Sequence, residues 1–257
     1  MCGYATVFQD GARFRMYYRG WSAGIQADPT GKQRLVGAFP SVICCAESDD
    51  GVRWRRIEAD RYEFEGSRRN NIVWPGEGEI MKGTHGFSPF RDANPACPPE
   101  ARYKAVGSSE HGTKTHGLFA MTSPDGVRWS LLQPGPIITT GAFDSQNLAF
   151  WDSVRGEYRA YVRDFREGRR CIRTAVSKDF ANWTAAEWLE YSGAPAEQLY
   201  TNQVLPYYRA PHIFLGFPTR YVERDWTPAI EALPELEHRR VRAGANRRYG
   251  TALTDTV

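Results

Sequence analysis

No apolar run in this sequence approaches the roughly 20 consecutive residues that a membrane helix needs, so a helical span is excluded. Neither sign of charge dominates: 33 basic and 30 acidic residues leave a formal net charge of +3, too balanced for a dedicated nucleic-acid binder. Cysteine is scarce. Cys2, Cys44, Cys45, Cys97 and Cys171 are odd in number and show no C-x-x-C spacing, which argues against a zinc site or a disulfide framework and leaves plain thiols. Met1 and the residues after it lack a basic-then-apolar leader, so a reduced, cytoplasmic chain is the default expectation. A G-x-S-x-G elbow, a Gly-rich phosphate loop, a G-x-G-x-x-G turn and H-E-x-x-H are also missing, and neither a cofactor nor a metal is expected. Amphipathic runs of helical period are nearly absent; the helix candidates are residues 185–190 and 230–240, short and close to Pro228 and Pro234.

What the 257 residues do contain is glycine (24), proline (16), tryptophan (8) and many short runs of strand character. The fractions of apolar and charged residues, 41% and 25%, are those of a globular chain with ample core volume. Three segments repeat one pattern. Ser48, Asp50, Gly51 and Trp54 recur as Ser123, Asp125, Gly126 and Trp129, and again as Ser177, Asp179, Phe180 and Trp183. Asp-Gly favours a tight turn with a positive φ, and the Trp returns the chain to the next strand as a large packing group. Hairpins recur beside these copies: residues 3–8 with 13–19 before the first, residues 146–151 with 157–163 before the third, and the same outline after it at residues 203–208 with 213–217. Residues 90–95 with 103–107 supply a looser fourth.

Strand, turn, strand, loop, strand, Asp-Gly turn and Trp-led strand, repeating every roughly 50 to 75 residues, predict an all-β chain: a β-propeller of four-stranded antiparallel blades. The predicted blades run over residues 3–57, 71–132, 138–189 and 198–257, the last unfinished. The whole of 1–257 is then one propeller domain whose two ends fall inside blades, and a longer chain is expected. A β-sandwich with long hairpins is the alternative architecture.

In a blade the first strand lines the channel and the second runs back beside it, so first-strand starts and second-strand ends share one face of the disc. The expected first-strand starts are residues 90–94, 143–147 and 200–203; the second-strand ends carry Arg19, Arg163 with Asp164, and Arg220. That rule nominates Asp92 and Asp144 as paired carboxylates, with Arg91, Asn94, Gln146, Asn147, Arg163, Asn202, Gln203 and Arg19 as ligand-binding groups; His85, in a loop feeding the strand that carries Asp92, is a further ligand-binding candidate or else a solvent-exposed loop residue. Carboxylates, amides, arginines and tyrosines suit a polyhydroxylated ligand, and two carboxylates flanking a glycosidic bond can act as acid and as base or nucleophile. An Asp opening a strand also caps turns, so each alone has a purely structural reading. Glu77 and Glu79 share the loop before His85, where loop charges are commonly solvated. Glu47, a carboxylate inside a third strand, is expected in an outer-face ion pair. His111 and His116 flank a hairpin loop without a third ligand, and the arginines at 239, 240, 242, 247 and 248 read as a solvated connector.

These residues resemble a known group. The repeated Ser-x-Asp-Gly-x-x-Trp, the opening Tyr-Ala-Thr-Val-Phe-x-Asp-Gly and Phe90-Arg91-Asp92 are similar to the five-bladed β-propeller glycoside hydrolases, invertase-like and arabinanase-like. The resemblance spans nearly the whole chain as a blade pattern. It implies three acids on the first strands of the first three blades. Asp92 matches the Asp of an Arg-Asp-Pro element, with Ala93 in place of the proline. Asp144 stands where that group has its acid Glu, one methylene shorter, and the first-blade acid has no match. The implied activity is hydrolysis at a non-reducing-end sugar, with Asp144 as proton donor and Asp92 orienting the sugar. Carbohydrate binding without cleavage is the alternative, and recruitment of a protein by the propeller face a third. Both carbohydrate readings require Asp92, Asp144 and Asn202 to converge on one axial opening; no nucleic-acid or membrane partner is expected.

Overall fold

The computed structural model describes residues 2–31, 33–78, 81–109 and 117–257. Its first sheet is β1 (Cys2–Asp10), β2 (Arg13–Ala27), β3 (Gln33–Ser48) and β4 (Arg55–Arg56), all antiparallel, with β5 (Ile72–Trp74) added to β3. The second is β6 (His85–Arg91), β7 (Tyr103–Ser108), β8 (Leu118–Ser123) and β9 (Ser130–Leu131). The third is β10 (Leu148–Asp152), β11 (Glu157–Arg166), β12 (Arg169–Ser177) and β13 (Glu187–Trp188). A fourth unit repeats the opening hairpin in two pieces. β15 (Val204–Tyr207) pairs β16 (Ala210–Gly216), while β14 (Leu199–Thr201) pairs β17 (Thr219–Val222), which in turn pairs β18 (Leu253–Thr256). The pairing breaks at Asn202–Gln203 opposite Phe217–Pro218, where the proline has no N–H to donate. The chain is therefore an all-β propeller, with three complete four-stranded blades and a fourth of three strand paths among the described residues.

The recurring turn explains why each blade closes as it does. The hydroxyls of Ser48, Ser123 and Ser177 accept the N–H three residues on, at 2.9, 2.8 and 2.9 Å. Oδ1 of Asp50, Asp125 and Asp179 accepts the N–H groups two and three residues on, at 2.7–2.9 Å. Trp129 and Trp183 donate their indole N–H back to the carbonyl at the turn's apex, at 2.9 and 3.0 Å. That apex residue has φ of +73°, +77° and +68° in the three copies, which Gly51 and Gly126 adopt freely and Phe180 does not. Phe180 is fully buried against Phe90, Tyr158 and Trp183, and its packing holds the strained backbone.

The sheets face one another across three apolar layers. Tyr17, Ile43 and Val73 meet Phe87, Phe119 and Trp129; Val106, Leu118 and Ala120 meet Phe143, Ala149 and Val162; Phe150, Tyr161 and Ile172 meet Leu199, Val204 and Phe214.

Three expectations need correction. Residues 71–74 belong to the first sheet, as β5, and the second blade begins at His85. Residues 90–94 do not start an inner strand; they end one, because β6 runs over His85–Arg91 with its buried part at His85–Pro89. Residues 185–190 carry the short strand β13 in place of a helix, whereas residues 230–240 fall in α1 (Pro228–Glu231) and α2 (Leu236–Ala245), followed by α3 (Arg248–Thr251).

Candidate functional site

Inner strands β1, β6, β10 and β14 enter from the same end of the molecule, and their leading residues meet there. The ring of Tyr4 stands edge-on to that of His85, with centroids 5.4 Å apart. Its hydroxyl lies 3.2 Å from that of Tyr200, so the first and fourth blades touch across the opening. Gln146 donates to Thr6 Oγ1 at 3.0 Å and accepts from Gln203 at 2.6 Å, joining blades one, three and four by a single amide chain. Close approach is enforced by Gly86: with φ of +63°, a Cβ there would sit 2.5 Å from the carbonyl oxygen of Ser145.

Asp144 is placed by its backbone. Ala142 N–H donates to the Arg163 carbonyl at 3.0 Å, and Asp144 N–H to the Ala142 carbonyl at 2.7 Å, folding the loop onto the end of β11. There the Asp144 carboxylate contacts the Arg163 guanidinium, which is 1% exposed. Asn147 is fully buried and engaged locally. It donates to the carbonyls of Phe143 (3.2 Å) and Ser145 (3.0 Å) and accepts the Arg163 N–H (2.9 Å), so it positions the loop. His85 Nδ1 is 3.4 Å from the Ser108 hydroxyl, which donates to the Phe143 carbonyl at 2.9 Å. Arg19, opposite Gly3 in the β1–β2 ladder, donates Nε–H to Ser41 at 2.7 Å and lies over the Trp21 ring. Asn202 is fully buried, and neither atom of its amide is hydrogen-bonded.

So Arg19, His85, Asp144, Gln146, Asn147, Arg163, Asn202 and Gln203 gather at one mouth. Asp92, Arg91 and Asn94 do not. They follow β6 to its far end, about 20 Å away at roughly 3.3 Å per residue. Asp92 is buried there in contact with Lys104, and it accepts the hydroxyl proton of Tyr158 at 2.6 Å. Asn94 donates to the same Tyr158 oxygen at 3.1 Å, and Arg91 is 3.7 Å from Asp10. Asp10 holds the equivalent place in the first blade and accepts from Tyr103 at 2.7 Å. The pair is an inter-blade tie: an Asp ending one inner strand, a Tyr opening the second strand of the next blade. Burial, then the bonded Asp92, pushes the Tyr158 phenol up, so it stays a neutral donor.

Glu77 is exposed on its loop, while Glu79, His111 and His116 lie outside the described residues. Glu47 forms the expected ion pairs, with Arg13 at 3.2 Å and Arg15 at 3.4 Å. Tyr4, Thr6, Ser108 and Tyr200 are mouth residues that the sequence reading did not nominate. Only Tyr200, in a first-strand start, carried a usable signal.

No sequence family and no curated protein matches the chain. Solved structures do. An N-acetylgalactosamine deacetylase from F. plautii, in complex with blood group B trisaccharide, aligns over 85% of this chain and 63% of its own, at 12% identity and a TM-score of 0.53. A fructofuranosidase from Schwanniomyces occidentalis, complexed with fructosylnystose, aligns over 86% and 40%, at 16% and 0.53. A β-1,2-mannobiose phosphorylase from Listeria innocua, with β-1,2-mannobiose, aligns over 84% and 70%, at 13% and 0.52. The chain spans less than two thirds of the length of the first two. In architecture, it is a β-propeller of the kind on which the fructofuranosidases and related glycoside-processing enzymes are built.

Proposed function

We propose that the mouth formed by blades one to four is a carbohydrate site, with Asp144 and the surrounding amides as the groups that read sugar hydroxyls. The observation that carries this reading is Asn202, buried with all its amide hydrogen-bonding capacity unused, beside the Thr6–Gln146–Gln203 chain. A buried amide without partners is costly, and a ligand hydroxyl that both donates and accepts answers it. Tyr4 and Tyr200, both partly exposed, add aromatic surface for the C–H face of a ring.

Binding is favoured over cleavage by the described residues. Hydrolysis uses two carboxyl groups about 5 to 10 Å apart, and Asp92 sits at the opposite end of its strand from Asp144. The fold likeness supports a second reading, a glycosidase in which Asp144 is the proton donor and another carboxylate completes the pair. One experiment separates them: a panel of aryl glycosides and free sugars offered to the wild type, D144N and D92N. Sugar-dependent thermal stabilisation in the wild type and D92N, lost in D144N, with no aglycone released, is the expected result. Release by the wild type but not by D144N establishes the glycosidase reading. Equal behaviour of D144N and wild type in both assays overturns the site.

A further inference from the structure

The mouth holds more positive charge than its neighbours answer. Arg163, within β11, is buried, and neither its Nε nor its Nη1 has a hydrogen-bond partner. Arg170, just past the β11–β12 turn, also has an unpartnered buried Nε, while its Nη1 donates to Gln198 at 2.5 Å. The two guanidinium groups share the same rings: Phe165 at 4.7 and 5.5 Å, and Tyr200 at 6.0 and 5.8 Å. Burial, reinforced by the like charge of Arg170, brings Arg163 down to about 10, still cationic at neutral pH. Nearby carboxylates are largely committed elsewhere. Asp164 pairs with Arg173 at 2.9 Å and Glu197 with Arg220 at 2.7 Å, and Asp144 lies on Arg163 Nη2, so among the described residues no ion pair reaches Arg170. The Tyr4 hydroxyl, held protonated by burial, lies beside them, 3.2 Å from that of Tyr200.

We propose that Arg163 and Arg170 form an oxyanion seat, so that the ligand of this mouth is an acidic sugar, carrying a carboxylate or phosphate, or a sugar accompanied by free phosphate. Unmade guanidinium N–H groups in a fixed fork match two oxygens of such an anion, and the shared rings keep both arginines in place. Two cations around the single Asp144 carboxylate still repel, and an anion between them removes the repulsion while satisfying the donors left open. The inference rests on the carbohydrate reading and narrows it to a substrate class.

Calorimetric titration of the wild type and R170Q with glucose, galactose, glucuronate, galacturonate and inorganic phosphate tests it. The expected result is that at least one anionic ligand binds about tenfold or more tightly than its neutral counterpart, and that R170Q erases that preference. Phosphate that binds, and is lost in R170Q, with no uronate preference identifies free phosphate as the source; a uronate preference untouched by phosphate places the anion on the sugar. If neutral sugars bind as well as their uronates and phosphate does not bind, the seat is refuted while the carbohydrate site stands. A preference that survives intact in folded R170Q also refutes it, and should R170Q fail to fold, the wild-type preference alone decides. No binding by any of the five refutes both readings.

Discussion

Asp92 and Asp144 are both aspartates beside a cation, yet their surroundings give them different work. Asp92 has no exposed side-chain surface and is met by the Lys104 ammonium and the Tyr158 hydroxyl. Removing one member of a buried pair leaves an uncompensated charge and costs about 3 to 5 kcal/mol. K104M should therefore lower unfolding free energy in urea by roughly that much, while sugar binding by the folded fraction stays unchanged; a loss below about 1 kcal/mol would show the pair to be weak. Cysteine behaviour follows the same logic of environment. Burial pushes the thiols of Cys44 and Cys45 up to about 11 and 12, so both should resist alkylation in the native state at pH 8. Cys97 and Cys171 are partly exposed and should label before these two in a mass-resolved time course.

Among the elements, the Ser-x-Asp-Gly-x-x-Trp turn was the most legible in the sequence, because its bonds are local: a hydroxyl and a carboxylate closing on N–H groups two and three residues away. The inner strand β6 was the least. Its buried run contains Gly86 and Pro89, poor strand formers, and its real claim to that place is non-local: only glycine lets it approach the Ser145 carbonyl. With the strand taken to begin at Phe90, Asp92 moved to the wrong end of the blade and seemed to pair with Asp144. Asp144, Gln146 and Asn202 were found because their blades do begin where the sequence pattern put them. Tyr4 and Thr6 were missed because nothing in an alternating strand marks which outward residue will face an axis.

The turns themselves are open to test. G126A places a methyl group 2.5 Å from the Tyr17 hydroxyl at φ +77°, whereas Gly51 has only Phe14 at 3.7 Å. G126A should cost about 2 to 3 kcal/mol and G51A nearer 1, the difference being steric overlap added to the φ strain common to both. The turn carboxylates also set an acid limit. N–H bonds from Asn182 and its neighbours hold Asp179 at about 2, and those from Arg53 and Val52 lower Asp50. At Asp125, burial opposes the shift but the bonds from Arg128 and Val127 prevail. Folded values below the unfolded one of about 3.9 mean a stabilisation that is complete above about pH 5 and is lost as pH falls towards the folded value. The stability gap between wild type and D179N, measured by urea unfolding, should accordingly shrink between pH 5 and pH 2; a constant gap would show that the carboxylate charge is irrelevant.

For the whole molecule, the mouth gains its shape from four separate blades, so a ligand there should stiffen the assembly as a unit. At a hundredfold excess over Kd, a single-site ligand adds about 2.7 kcal/mol, or roughly 5 to 10 °C in melting temperature for a domain of this size. The joining of first and last blades has a further side. Strands β2 and β3 continue beyond Gly20, where β1 stops pairing, out to Ala27 and Gln33, forming an arm that projects on the mouth side. Helix α2, inserted between β17 and β18, lies against β3. Arm and helix together make a buckle, fastening blades that are far apart in the chain without any shared strand. Such a fastening can be undone without dismantling either blade, so this seam is where the disc would be expected to part first under load.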